Sequence, residues 1–171
     1  LNPEKIAINT SIHNVLADGL SVGMHQILMN MLKNKPFIER LISAEEIIAA
    51  LNGRKTPNEL ELIQAAVAET DAIYQETYKF ISYGKREIDI SDYMHQLMAD
   101  RNLEAAWTYE GCPAVNSGPD SPVGHAAPGN ITIQRGHLLH FDFGVKKDGY
   151  CSDIQRMVYL LKPDEIEPPV E

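Results

Sequence analysis

The stretch from His137 to Leu161, HLLHFDFGVKKDGYCSDIQRMVYLL, constrains this chain most, because it sets two carboxylates inside an otherwise apolar strand pattern. From Leu138 to Val145 the residues alternate. Leu139, Phe141, Phe143 and Val145 fall on one face, and Leu138, His140, Asp142 and Gly144 on the other, the period of a half-buried strand. Lys146-Lys147-Asp148-Gly149 reads as a turn, since Asp-Gly supplies the positive φ angles of tight hairpins. The returning strand runs from Tyr150 to about Leu161.

Loop parity decides how the two acids relate. A two-residue loop at Asp148-Gly149 pairs Gly144 with Asp153, whereas a four-residue loop over 146–149 sets Asp142 directly opposite Asp153. Either even length puts Asp142 and Asp153 on one face, about 5 to 8 Å apart at the backbone. An odd loop without a bulge splits them. Two like charges so close in an apolar strand pair are costly unless one is protonated or a cation lies between them. A divalent metal with oxygen ligands is the natural cation. The competing reading is solvated charge at a wet sheet edge.

A chain of 171 residues is long enough for one domain, or one plus a piece of another. Its formal net charge of -9 argues against nucleic acid or an anionic membrane as the main partner. Cys112 and Cys151 make neither a disulfide framework nor a CxxC pair, which points to a reducing, cytoplasmic setting. No apolar run approaches the ~18 residues that span a membrane, and the start, LNPEKIAIN, lacks a signal-peptide pattern. It also lacks an initiator Met, so the chain is expected to begin inside a longer protein.

Taken in order, Lys5–Asn9 alternates as a short strand, 11–20 is loop-like, and 20–33 has helical apolar spacing through Val22, Met24, Ile27, Leu28, Met31 and Leu32. A Met stripe at that spacing reads as core, with His25 as a surface histidine. Ser43-Ala44-Glu45-Glu46 and Thr56-Pro57-Asn58-Glu59 are two capping boxes. The second opens the longest helix, to about Ser82, with Leu60, Ile63, Val67, Ile73 and Phe80 on its apolar side. A domain boundary is placed near Asn52. A further helix runs to about Arg101, capped by Asp89 or Ser91, with His95 facing solvent. Trp107 and Tyr109 are candidate core anchors. The segment NSGPDSPVGHAAPGN, 116–130, is too rich in Gly and Pro for a regular element. His125 on it is a candidate ligand or proton donor, or simply an exposed loop histidine. Ile131 and Ile133 suggest a short strand, and the acidic, Pro-rich tail KPDEIEPPVE suits a linker.

These residues resemble the metallopeptidase family that includes Xaa-Pro aminopeptidase and proline dipeptidase. The likeness covers roughly 54–171 and is densest in NSGPDSPVGHA, HFDFG and DGYCSDIQR. The family pattern is a loop histidine, a DFG-like aspartate, then a second aspartate in a GY-x-SD-x-x-R context. Here those positions are His125, Asp142 and Asp153, at intervals of seventeen and eleven residues, with Arg156 trailing.

The resemblance implies an α+β fold, the first half of a pita-bread catalytic domain (54–171) preceded by the end of a smaller, creatinase-like N-terminal domain (1–53). That preceding segment argues against the short methionine aminopeptidases. The resemblance also implies that Asp142 and Asp153 are ligands to two divalent ions (Mn, Co or Zn) in the complete enzyme. A hydroxide held by both metals would attack the peptide bond next to proline, in a short peptide substrate. His125 would hydrogen-bond the substrate as charge develops on oxygen. A homodimer is expected.

The family takes a further histidine and two glutamates from a second half that this sequence does not contain, so the chain reads as an incomplete, inactive fragment whose missing C-terminal half is its natural partner. His140 stands where the family is usually aliphatic, and is either a residue orienting Asp142 or a half-buried strand histidine. Arg156, on the apolar face with Ile154 and Val158, is expected to pair with an acid. Two other readings share the architecture: a non-catalytic peptide- or protein-binding relative, and a creatinase-like amidinohydrolase. Retention of both aspartates weighs against each.

Overall fold

In the computed structural model, which describes residues 2–122, 124 and 126–169, the chain divides between Thr56 and Pro57 into two units. In the first, β1 (Ile6–Ile8) and β2 (Leu41–Ser43) pair in parallel, alongside α1 (Val22–Leu32) and α2 (Glu45–Gly53). Ser21 caps α1, its Oγ accepting the Met24 N–H at 3.2 Å. The helix ends before Asn34, whose φ of 65° is left-handed. The Met stripe is not core: α1 has no buried residue, and Met24, Ile27 and Met31 are exposed. The spacing dictates a helix, but among the described residues no layer covers its apolar face. The capping box at Ser43 does not form either. Because α2 begins at Glu45, Ala44 is the cap, and Ser43 Oγ accepts the Glu45 N–H at 3.0 Å instead.

The second unit carries α3 (Pro57–Phe80) and α4 (Glu87–Asp100), then β3 (Glu104–Ala105), β4 (Ala114–Ser117), β5 (Leu138–Phe143), β6 (Val145–Lys147), β7 (Tyr150–Cys151) and β8 (Ile154–Tyr159). One sheet has the order β4-β5-β8 and the other β3-β6-β7. A single antiparallel hairpin runs through both. Its register is Leu138↔Tyr159 to Phe143↔Ile154 in β5–β8, and Lys146↔Cys151 and Lys147↔Tyr150 in β6–β7. The loop is therefore the two residues Asp148-Gly149, with φ of 50° and 83°, as a type I′ turn demands.

Where the hairpin passes from one sheet to the other stands Gly144. A Cβ there would lie 1.9 Å from the Ser152 carbonyl oxygen, so the two backbones can approach this closely only at glycine.

Leu139, Phe141, Phe143 and Val145 are buried and share one core with Ile73 and Tyr74 of α3 and Ile90 and Met94 of α4. Tyr74 is its hub. Its ring meets Phe141 and Phe143 edge-on at centroid distances of 6.0 and 5.7 Å, and its hydroxyl donates to the Ile154 carbonyl at 2.8 Å. The buried face of α3 is Ala66, Thr70, Ile73, Tyr74 and Thr77, while Leu60 and Val67 are exposed. Small and hydroxylated residues face the hairpin because its backbone comes close: Thr70 Oγ1 lies 2.6 Å from Ser152 Oγ.

Neither Asp89 nor Ser91 caps α4. Arg86 is the cap, and Asp89, three residues in, accepts the Arg86 N–H at 2.8 Å from inside the helix. His95 is not solvent-facing: its Nε2 is 2.8 Å from the Cys112 carbonyl, and its ring stacks on Tyr109 at 3.9 Å. Trp107 and Tyr109 are exposed rather than core anchors. Trp107 ties down the local turn by donating from Nε1 to the Gly111 carbonyl at 2.8 Å. Instead of a strand at Ile131–Ile133, an isolated bridge joins Thr132 to Arg86.

Candidate active site

The hairpin sorts its side chains strictly. Phe141 and Phe143 enter the core, so Asp142 and His140 lie on the opposite face of β5. On β4 the register sets Ala114 opposite Asp142 and Asn116 opposite His140. On β8 it sets Gln155 opposite Asp142 and Met157 opposite His140.

Asp153 immediately precedes β8. The same register puts it opposite Gly144, two residues along from Asp142 on Asp142's own face. Its neighbour Ser152 turns the other way, into the core, where its Oγ accepts the Val145 N–H at 2.9 Å. The two carboxylates are thus diagonal neighbours, about 7 to 8 Å apart at Cα for such pairs. Their surroundings differ. Asp142 is 5% exposed, whereas Asp153 is open to solvent.

Asp142 is oriented by a short polar chain. Gln155 Nε2 donates to Asp142 Oδ2 at 3.3 Å, and Gln155 Oε1 lies 3.4 Å from His140 Nε2. His140 is half-buried and reaches Asp142 through this amide. Gln155 escapes a residue-by-residue reading of the sequence. The signal for it is the hairpin loop: once that is two residues long, Gln155 must stand opposite Asp142.

Arg156 finds no acid among the described residues. Its guanidinium lies 5.9 Å over the Tyr74 ring and donates to the Gln155 carbonyl at 2.9 Å. His125 lies outside the described residues.

As a donor set, two carboxylates, one of them buried, offer hard oxygen ligands of the kind divalent cations take. Among the described residues no group of three His, Cys, Asp or Glu side chains is arranged to hold an ion. Asp142 and Asp153 could thus supply part of a metal site, and the described residues do not supply a whole one. No helix among the described residues is long and apolar enough to cross a membrane.

The sequence profile of metallopeptidase family M24 matches residues 61–168. The chain is 29% identical over 167 residues to the Xaa-Pro dipeptidase of Lactobacillus helveticus, covering 96% of this chain and 43% of that protein. It is 26% identical over 162 residues to the Xaa-Pro dipeptidase of Pyrococcus furiosus, covering 90% of this chain and 44% of that protein. It thus spans less than half the length of these relatives.

Among solved structures, the prolidase from Pyrococcus furiosus superposes with a TM-score of 0.65 at 26% identity, covering 86% of this chain and 41% of that one. The Xaa-Pro dipeptidase from Bacillus anthracis gives a TM-score of 0.65 at 25% identity, covering 86% and 39%. The mixed helix-and-sheet architecture described above is accordingly part of a pita-bread fold.

Proposed function

Because the chain belongs to metallopeptidase family M24, we propose that its second unit is the first part of a metal-dependent exopeptidase acting at the peptide bond next to proline. The observation that carries this reading is the placement of Asp142 and Asp153 on one face of one hairpin, with Asp142 buried. An acid in so dry a place needs hydrogen bonds or a cation to offset the lost hydration.

In this reading Asp142 and Asp153 hold two divalent ions, manganese, cobalt or zinc, together with ligands supplied by the rest of the catalytic domain. When bound, such ions make water a usable nucleophile at neutral pH and polarise the substrate carbonyl. The amide of Gln155, itself in contact with His140, keeps Asp142 Oδ2 in place before any ion arrives, the support that outer contacts give metal-ligating carboxylates. His125 donates to the oxygen of the scissile carbonyl as it gains negative charge. The substrate is a short peptide with proline on the far side of the cut bond. In this reading the described residues hold only two of the ligands, and the 171-residue chain is expected to show no turnover by itself.

The test is a calorimetric titration of Mn²⁺, Co²⁺ and Zn²⁺ into this chain and into its Asp142→Asn and Asp153→Asn variants. In parallel, hydrolysis of an Xaa-Pro dipeptide is followed in the complete catalytic domain. Weak binding that either substitution abolishes, and activity that both abolish, is the expected result. Undiminished binding and turnover in both variants would remove these residues from the site.

A further inference from the structure

The stretch between β4 and β5 is long and irregular, yet a single side chain holds both of its ends. Glu87, the first residue of α4, is 0% exposed. Its Oε1 accepts the N–H of Ser117, the last residue of β4, at 2.6 Å. Its Oε2 accepts the N–H of Gly129, twelve residues further on, at 3.0 Å. The second foot is reinforced by the same helix end: Ile88 N–H donates to the Gly129 carbonyl at 3.0 Å and Glu87 N–H to the Ile131 carbonyl at 3.1 Å. Arg86 Nη1 adds a bond to Asn130 Oδ1 at 2.8 Å. Between the two feet, Glu87 is the shared partner.

A carboxyl group excluded from water is costly unless its oxygens are hydrogen-bonded. Here each oxygen has a backbone donor, and the first turn of α4 is the helix end that favours an acid. The molecule therefore tolerates a buried acid, and that acid fixes where an eleven-residue loop, 118–128, leaves the sheet and where it meets the start of α4. Asn116, beside the first foot, is cross-strand neighbour to His140 on the face that bears Asp142. The first foot thus ends the strand that pairs with Asp142 through Ala114 and with His140 through Asn116.

We infer that Glu87 is a positioning residue, clamping Ser117 and Gly129 at the two feet of the 118–128 loop and so holding the end of β4, the strand that pairs with Asp142. The clamp stands on its own geometry; its consequence for hydrolysis rests on the peptidase reading above.

Glu87→Gln separates the possibilities, because an amide keeps one acceptor and turns a donor towards the other N–H. Amide hydrogen exchange in this chain should accelerate at least about tenfold at Ser117 or Gly129, with faster proteolysis inside 118–128, while Phe141 at the sheet centre keeps its rate. Unchanged exchange at both feet, or an equal rise at Phe141, would overturn the clamp. Should the variant fail to fold, the unaltered chain still decides. Ser117 and Gly129 should exchange at least about tenfold more slowly than Asp120 and Ala127, and equal rates refute the proposal.

In the complete catalytic domain, Glu87→Gln should lower kcat for an Xaa-Pro dipeptide at unchanged KM. A loosened loop with unaltered kcat would end its positioning role. Absence of turnover in the unaltered domain would instead sink the peptidase reading and leave the exchange result standing.

Discussion

Replacing Gly144 with alanine tests how tightly the hairpin that carries Asp142 and Asp153 is built. The added Cβ would stand 1.9 Å from the Ser152 oxygen, 2.8 Å from the Ser152 carbonyl carbon and 3.0 Å from the Ala106 Cβ. The first two are backbone atoms that no rotamer change can move, so the strand carrying Ser152 must withdraw by roughly an ångström. Three hydrogen bonds oppose that shift: Ser152 N–H to the Val145 carbonyl at 3.0 Å, Val145 N–H to Ser152 Oγ at 2.9 Å, and Ser152 Oγ with Thr70 Oγ1 at 2.6 Å. Losing two or three of them costs about 1 kcal/mol each, and overpacking adds about 1 to 3 kcal/mol. The smaller entropy of the unfolded alanine chain returns about 0.4 to 1 kcal/mol. The net is a destabilisation of about 2 to 6 kcal/mol, a large share of the roughly 5 to 15 kcal/mol that holds a domain together. Urea unfolding followed by the fluorescence of Trp107, the sole tryptophan, reports on this unit. A loss under about 1 kcal/mol would refute the claim that close backbone approach fixes this glycine.

Tyr74→Phe keeps the ring contacts but removes the hydroxyl's hydrogen bond to the Ile154 carbonyl, and should lower stability by about 0.5 to 1.5 kcal/mol in the same urea assay. Asp89 has its carboxyl held below the ordinary value of 3.8, first by the hydrogen bond from the Arg86 side chain and then by the Arg86 backbone N–H. The unfolded chain therefore takes up that proton more readily than the folded one. The contribution of Asp89 is complete above the ordinary carboxylate range and is lost as pH falls through the lowered folded value. Asp89→Asn should flatten the acid limb of a stability–pH curve and leave its neutral side parallel; an unaltered acid limb would count against the pairing.

How much of this was legible depends on how local the determinant is. Strand alternation from Leu138 to Val145 and the Asp-Gly turn are contained within some twenty residues, so sequence alone narrows the hairpin to a few registers, even-length loops that keep the acids on one face and odd ones that split them. Only the coordinates choose between them, and that choice brings Gln155 opposite Asp142. The helices were legible as helices, and so were Ile73 and Phe80 on the core side of α3, but the rest of that buried face and the exposure of α1 were not. On α3 the residues facing the core include Ala66, Thr70 and Thr77, because an approaching backbone leaves no room for leucine. On α1 the apolar stripe is regular and nevertheless exposed, since burial depends on what a second layer supplies. The Arg86 cap and the burial of Glu87 were hidden for a similar reason: the partners of Glu87 lie 30 and 42 residues away.

Register also explains why the two acids differ. The bend at Gly144 forces Ser152 against α3, and a residue pinned inward obliges its neighbour Asp153 to point outward. Asp142, two residues before the bend, stays within the sheet, flanked by Ala114 on one side and Gln155 on the other. One carboxylate is thus fixed by strands on both sides and the other stands at the rim. If these acids hold a cation, as proposed, Asp142 would be its rigid ligand and Asp153 its accessible one. Substitutions that disturb the bend should consequently displace Asp153 far more than Asp142, because only Asp153 is adjacent in the chain to the residue that has to move.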